Sequence, residues 1–344
     1  MKRILALSVL IITGLACSNE DKNKPNYGVT STEEKKEKSD LMKKATTFFQ
    51  PISSVTYEDI PAEKVELGKK LYNDKRLSKN NTISCNSCHQ LNNYGVDNLS
   101  TSPGDSEELG DRNSPSTFYA FLHTSQFWDG RAVDVEEQAG MPILNPIEHG
   151  IPDEEYLVQK LSDIEEYQNL FASVFKKDKE PITFKNITNA IGAFERKLYA
   201  TSKFDKYLDG DENALSTKEK KGLQAFIDNQ CITCHTGVAL GGHMKQKFGL
   251  FGDYWELTGS EKIDTGLHQV TGKESDKYIF KVPSLRNIEK TYPYFHDGSV
   301  EDLAEAVKIM GKLQSNKDIS DEDLDLIITF LKTLTADIDE NLKS

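Results

Sequence analysis

The sequence is short of basic charge, of methionine and cysteine, and of long apolar runs. Its 42 Lys and Arg against 55 Asp and Glu give a net charge of −13. That balance argues against a nucleic-acid partner, because phosphate binding needs a basic surface. Apart from Ile4–Ile12, no segment is apolar enough to be considered for a membrane, and that one is too short to span it. Convincing alternation of apolar and polar residues is also absent, which points away from a sheet-based fold. The 344 residues are enough for two ordinary domains, each with its own core. With five cysteines and five methionines, each can be asked what it does.

The chain opens "MKRILALSVLIITGLAC". Lys2 and Arg3 form a charged head, the apolar stretch follows, and small residues precede Cys17. This resembles a bacterial lipoprotein signal, whose cysteine becomes the lipidated mature N-terminus. It departs from that pattern in having Gly14 where Leu is preferred and Leu15 at the small-residue position. A plain secretory signal with an incidental cysteine is the alternative, and both export the chain. Residues 18–45 are polar and charged, and are expected to form a disordered tether. The expectation is a periplasmic protein, held to a bacterial membrane only by a lipid at Cys17.

The other cysteines form two pairs, Cys85-Asn86-Ser87-Cys88-His89 and Cys231-Ile232-Thr233-Cys234-His235. Both read Cys-x-x-Cys-His, the attachment pattern of c-type haem. On a helical turn, residues i, i+3 and i+4 share a face. Two thiols can therefore bond the haem vinyls while the histidine reaches the iron from the same side. Two disulfide-type pairs or a four-cysteine zinc site remain as weaker alternatives. Cys85, Cys88, Cys231 and Cys234 are thus expected to carry two covalent haem c groups, with His89 and His235 as iron ligands.

The surroundings suggest an internal duplication of helical units. Pro61 is placed to start a helix through Val65, Leu67 and Leu71, and Ser216 with Glu219 makes a capping box before the second motif. Gly68 and Gly222 occupy similar places ahead of the two motifs. Apolar residues also recur at helical spacing over Ile187–Leu198 and Leu324–Leu331. The expected fold is all-α, two cytochrome c-like domains with one haem each, over residues 46–205 and 206–344. A saturated iron carries electrons, whereas an open one can bind a small oxidant. Met244 stands too close behind His235 to reach round to the iron. Met310 has the long separation such a ligand needs, although alone it reads as a core methionine on an amphipathic helix.

Several further stretches are "RNSPSTF", "FWDGRA", "FKVPSLRNI", "TYPYFHDGS" and "AVKIMG", together with the spacing of Gln138 and Glu148 after Trp128. With them the chain resembles the bacterial di-haem cytochrome c peroxidases from about residue 58 to 335. The resemblance implies reduction of hydrogen peroxide by electrons from a small donor, a monohaem cytochrome c or a cupredoxin. Electrons would enter at the C-terminal haem and cross to the N-terminal one. It implies that Trp128 passes electrons between the haems, that Gln138 and Glu148 stand over the peroxidatic iron, and that Met310 is the second ligand opposite His235. A carboxylate suits that place because peroxide must lose a proton from one oxygen and gain one on the other. Read without the resemblance, Trp128 is a core tryptophan and Glu148 an acidic loop residue. Asn113, Thr291 and Pro293 match an interdomain calcium site, and a homodimer is a further possibility the family offers.

Two departures matter. Many relatives carry Ser-x-Gly-His where this chain has Ser102-Pro103-Gly104-Asp105, so a loop histidine that would cap the first iron is replaced by Asp105, read here as part of a solvated turn. His89 is then expected to be that iron's only protein ligand, with His123 the one other candidate. His149 stands directly after Glu148 where relatives often have methionine. The competing readings are a di-haem electron carrier or sensor without peroxidase activity, and a di-haem oxidase acting on a protein partner. Met310 argues against the oxidase, since that branch has tyrosine there.

Overall fold

The computed structural model describes residues 38–57 and 59–343. The expected signal at 1–17, with Cys17, and the tether as far as residue 37 lie outside the described residues. In chain order the helices are α1 (Asp40–Phe48), α2 (Ala62–Asn73), α3 (Cys85–Cys88), α4 (Val135–Leu144), α5 (Glu154–Ser162), α6 (Glu165–Val174) and α7 (Phe184–Glu195). They continue with α8 (Lys203–Leu208), α9 (Thr217–Asp228), α10 (Tyr254–Thr258), α11 (His268–Thr271), α12 (Leu303–Ser315), α13 (Asp321–Leu331) and α14 (Glu340–Lys343). The sheet among the described residues is one antiparallel pair, β1 (Lys245–Lys247) and β2 (Ile279–Lys281), with Lys245 opposite Lys281. The fold is all-α.

Local chemistry explains the main helix starts. Ser216 and Glu219 form the capping box read from the sequence, and Ser320 accepts from the Asp323 N–H at the start of α13. Pro61 stands at the N-cap of α2, where its fixed backbone dihedral suits a helix entry. The tether expected to reach residue 45 ends sooner. Ser39 caps α1 by accepting from the Met42 N–H, and Met42 and Ala45 are fully buried. Leu41, Met42, Ala45 and Phe48 recur at helical spacing, and that apolar face has a core to join.

The same helix pair is built twice. In the first core, Leu67 and Leu71 of α2 pack with Ile187, Ile191 and Phe194 of α7. In the second, Leu223 and Phe226 of α9 pack with Ile327, Phe330 and Leu331 of α13. Glycine permits both crossings. A Cβ on Gly68 would lie 1.8 Å from the Ala190 carbonyl oxygen and 2.9 Å from Phe194 Cβ; one on Gly222 would lie 2.1 Å from the Leu326 oxygen and 2.9 Å from Phe330 Cβ. Each large side chain buried in these cores contributes about 1.5–3 kcal/mol.

The chain ends cross between the halves. Phe49, just after α1, packs with Phe204 and Phe226 in the second core, while Ile338 packs in the first. The border expected at residue 205 falls inside α8, and Phe204, Tyr207 and Leu208 place that helix in the second core. A buried ion pair fastens the junction: Arg286 donates two 2.8 Å hydrogen bonds to Asp205, which also accepts from the Ile52 N–H. The Arg286 guanidinium lies 4.9 Å over the Tyr119 ring of the first half.

Candidate functional site

The second Cys-x-x-Cys-His motif opens onto a cavity of about 420 Å³, lined by Cys231, Cys234, His235, Met310 and Trp128. His235 Nδ1 donates to the Leu240 carbonyl at 3.1 Å, which fixes the tautomer and leaves the Nε2 lone pair for a metal. Burial pushes His235 down to about 4, so the ring is neutral. Met310 reaches the same cavity from α12. One cavity therefore holds both thiols, an imidazole and a thioether, a donor set that fits a c-type haem closed on both faces. The four described cysteines are free thiols, as attachment requires.

The first motif forms α3 under a Ser84–Ser87 capping box. His89 follows, its carbonyl accepting from Tyr72 Oη at 2.8 Å and its Nδ1 buried without a hydrogen-bond partner. Burial lowers its pKa and keeps it neutral. Glu148 lies in the turn after α4, where its Oε1 accepts from Asn145 Nδ2 at 2.7 Å. Burial raises the Glu148 pKa, against the opposing pull of Asn145 and Arg131. A carboxyl held this way takes up a proton more readily than a solvated one. Gln138 is half-buried on α4.

Asp105 is turned to another task. It is 7% exposed, so the solvated turn expected from sequence is corrected. Its carboxylate accepts from the Asn80 N–H at 2.7 Å and from Thr82 Oγ1 at 2.5 Å, and its own N–H donates to the Glu148 carbonyl at 2.7 Å. Burial works to raise its pKa, but these hydrogen bonds and one from Ser78 outweigh it and keep it ionised. Gly104 is required beside it, since a Cβ there would lie 1.7 Å from the Ile147 carbonyl oxygen. His149 is buried, its Nδ1 donating to the Leu77 carbonyl at 3.0 Å.

Between the motifs lies Trp128, whose Nε1 donates to the Asn113 carbonyl at 2.9 Å. The Asn113 N–H in turn donates to the His296 carbonyl at 2.8 Å, and the Trp128 and His296 rings meet edge to face at 6.4 Å. Arg112 binds Asp129 of the first half and Asp264 of the second, at 2.5 and 2.6 Å. Asn113, Thr291 and Pro293 all line the cavity of the second motif. His123 lines it too, so the structure associates it with the second motif rather than with the first iron. Sequence reasoning passed over Lys281 and Asn145, since neither residue type stands out without its spatial partner.

Comparisons with known proteins show the family to which the chain belongs. Residues 62–213 match the family model for di-haem cytochrome c peroxidase, and residues 219–335 that for cytochrome c. The chain is 44% identical over 290 residues to cytochrome c551 peroxidase of Nitrosomonas europaea, covering 84% of each. It is 42% identical over 304 residues to cytochrome c551 peroxidase of Pseudomonas aeruginosa, covering 86% of each. A solved MauG-like protein associated with microbial copper homeostasis superposes with a TM-score of 0.72 at 31% identity, over 86% of this chain and 94% of that one.

Proposed function

Because this chain belongs to the di-haem cytochrome c peroxidase family, we propose that it reduces hydrogen peroxide to water with electrons from a small redox protein. Electrons enter at the Cys231–Cys234 half and pass to the Cys85–Cys88 half. The carrying observation is the asymmetry of the halves: His235 and Met310 share one cavity, whereas His89 shares its half with the half-buried carboxyl of Glu148. Two covalently attached haem c groups, when bound, supply the iron at which peroxide is reduced and the iron that stores and relays electrons.

The remaining work belongs to side chains. Glu148, oriented by Asn145, takes the proton from one peroxide oxygen and returns it to the other as the O–O bond breaks. The Gln138 amide holds the oxidant in place. Trp128, fixed through Asn113 to His296, lies on the electron path. Met310 and His235 would together hold the second iron, and the thioether would close it and raise its potential. Asp105 is committed to Asn80 and Thr82, which supports the reading that His89 alone would hold the first iron and that the oxidised protein would be open to peroxide.

Calcium at Asn113, Thr291 and Pro293 belongs to the same reading. The Asn113 Nδ2 is spent on the Leu99 and Ser100 carbonyls, which turns its amide oxygen to other use. An amide oxygen and backbone carbonyls suit a hard cation. The donor is a monohaem cytochrome c or a cupredoxin, the location periplasmic with a lipid at Cys17, and a homodimer the candidate assembly. No helix among the described residues is long and apolar enough to cross a membrane. The division into haem units is set near residues 200–215.

Steady-state peroxide consumption by the purified di-haem protein with reduced donor tests the reading, together with Glu148→Gln, which should lower turnover about 10²–10⁴-fold. Full turnover in that variant would sink the role of Glu148, and none in the wild type would sink the activity. An EPR spectrum of the oxidised protein should show a high-spin first haem; a low-spin bis-histidine signal would overturn the open site. The likeness to a MauG-like structure favours an oxidase as the second reading, and Met310 argues against it.

A further inference from the structure

Lys281 ends β2 in the wall of the cavity that Cys231, Cys234, His235 and Met310 also line. The residue is 5% exposed. Its Nζ makes one hydrogen bond among the described residues, 3.0 Å to His123 Nδ1. Asp129 attracts it, but that carboxylate is already bonded by Arg112 and Arg131, and Lys245 on β1 repels it. Farther along the same network, Asp264 is likewise held by Arg112. A buried cation without a counter-charge is costly, and such groups are normally paired.

Burial accordingly pushes the Lys281 ammonium down to about 7. His123, buried against the same cation, is held well below the usual histidine range and is neutral. Its Nδ1 accepts from Lys281, so the ring proton sits on Nε2, which is buried without a partner. His123 adds no charge; it holds Lys281 in place. What a c-type haem brings to such a wall, besides its iron and thioethers, is carboxylate.

We propose that Lys281, positioned by His123, binds a haem carboxylate in this cavity and thereby raises the reduction potential of the haem at the second motif. The inference rests on that half carrying haem, and not on peroxide chemistry. Reduction removes one unit of positive charge from the iron, so a fixed cation nearby favours the reduced form. The Lys281 backbone N–H donates to the Trp128 carbonyl at 2.7 Å, which fixes this end of β2 against the residue on the proposed electron path.

Optical redox titration of the haem-loaded full chain, repeated on both sides of neutral pH, tests the proposal. Lys281→Met should move the reduction equilibrium of the Met310-side haem about tenfold toward the oxidised form, about 59 mV for one electron. It should also flatten the pH dependence and leave the His89-side haem unchanged. Lys281→Arg should keep most of the wild-type potential. His123→Phe should give part of the shift, and His123→Asn, whose amide oxygen accepts from Lys281, should reverse it. An unchanged potential in Lys281→Met overturns the assignment, as does an unchanged one in His123→Phe should Lys281→Met fail to load haem. Peroxide turnover on the same samples separates the readings: intact turnover with unmoved potentials sinks the role of Lys281 alone.

Discussion

The two halves share a plan down to single backbone contacts, and they part at one equivalent helix position, Met310 in the second and Pro142 in the first. Gly68 meets a carbonyl four residues ahead of Phe194, and Gly222 meets one four residues ahead of Phe330. Phe127-Trp128-Asp129-Gly130 and Phe295-His296-Asp297-Gly298 form the same turn. Phe127 and Phe295 have φ of 64° and 71°, Gly130 and Gly298 of 67° and 60°. Bridges Gln126–Ala132 and Tyr294–Val300 close the two turns. Each then enters a helix capped by aspartate, Asp134 for α4 and Asp302 for α12. Eight residues past the cap stands Met310 in the second half and Pro142 in the first (302 to 310, 134 to 142). A thioether can close an iron; a pyrrolidine ring cannot. On the proposed reading, the lesson is that a duplicated electron carrier becomes a peroxide site by losing one ligand and gaining a carboxyl, Glu148, just beyond the helix.

The largest expected effect comes from erasing that difference. Pro142→Met should give the first haem a thioether ligand, convert its oxidised spectrum to low-spin and abolish peroxide turnover, while the second haem keeps its potential. The backbone can accept the change, because the Pro142 carbonyl, which receives the Asn145 and His149 N–H groups, stays in place. A high-spin first haem with normal turnover in this variant would break the equivalence of the two positions.

Breaking the junction comes next. The side chains of Arg286 and Asp205 are 1% and 0% exposed, and removing one partner of such a pair leaves a buried charge uncompensated. Arg286→Ala should cost about 3–5 kcal/mol in thermal or denaturant unfolding. Both halves should unfold together, since α1 and the C-terminal tail each pack on the other half. Separate transitions would show that the halves are independent.

A pH profile sharpens the catalytic side of the comparison. Glu148 acts as a base only when ionised, and burial raises its pKa above the ordinary 4.5. Turnover should therefore rise with pH along a limb centred above that value, a limb absent in Glu148→Gln. Reduction of the second haem should show no such limb. An acid limb at the ordinary carboxylate value would mean that Glu148 is not desolvated in the working protein.

What the sequence made legible was chemistry that needs close spacing. Cys-x-x-Cys-His, the Ser216 capping box and the stripe on α13 all lie within a few turns of chain. The ends of the chain were misread, because α1 follows a long charged stretch and its apolar face finds its partners only in the second core, at Phe204 and Phe226. The Lys281–His123 pair spans 158 residues. Neither residue has a local pattern that marks it as buried.

Asp105 is the misreading that teaches most about the loop. A missing ligand suggested an idle, solvated residue, yet its carboxylate holds the segment at 80–82 while its backbone N–H holds the turn that carries Glu148. Its pKa is lowered, so the folded form prefers the carboxylate. The stability it adds is present above its unfolded pKa and is lost as pH falls through the depressed folded value. Asp105→Ala should therefore cost about 1.5–3 kcal/mol near neutral pH, the range for hydrogen bonds to a charged group, and less in acid. Turnover should fall only modestly, through a looser Glu148, and the coordination spectrum of the first haem should stay as it is. A change of spin state on removing Asp105 would mean that this side chain, and not the absence of one, governs access to the iron.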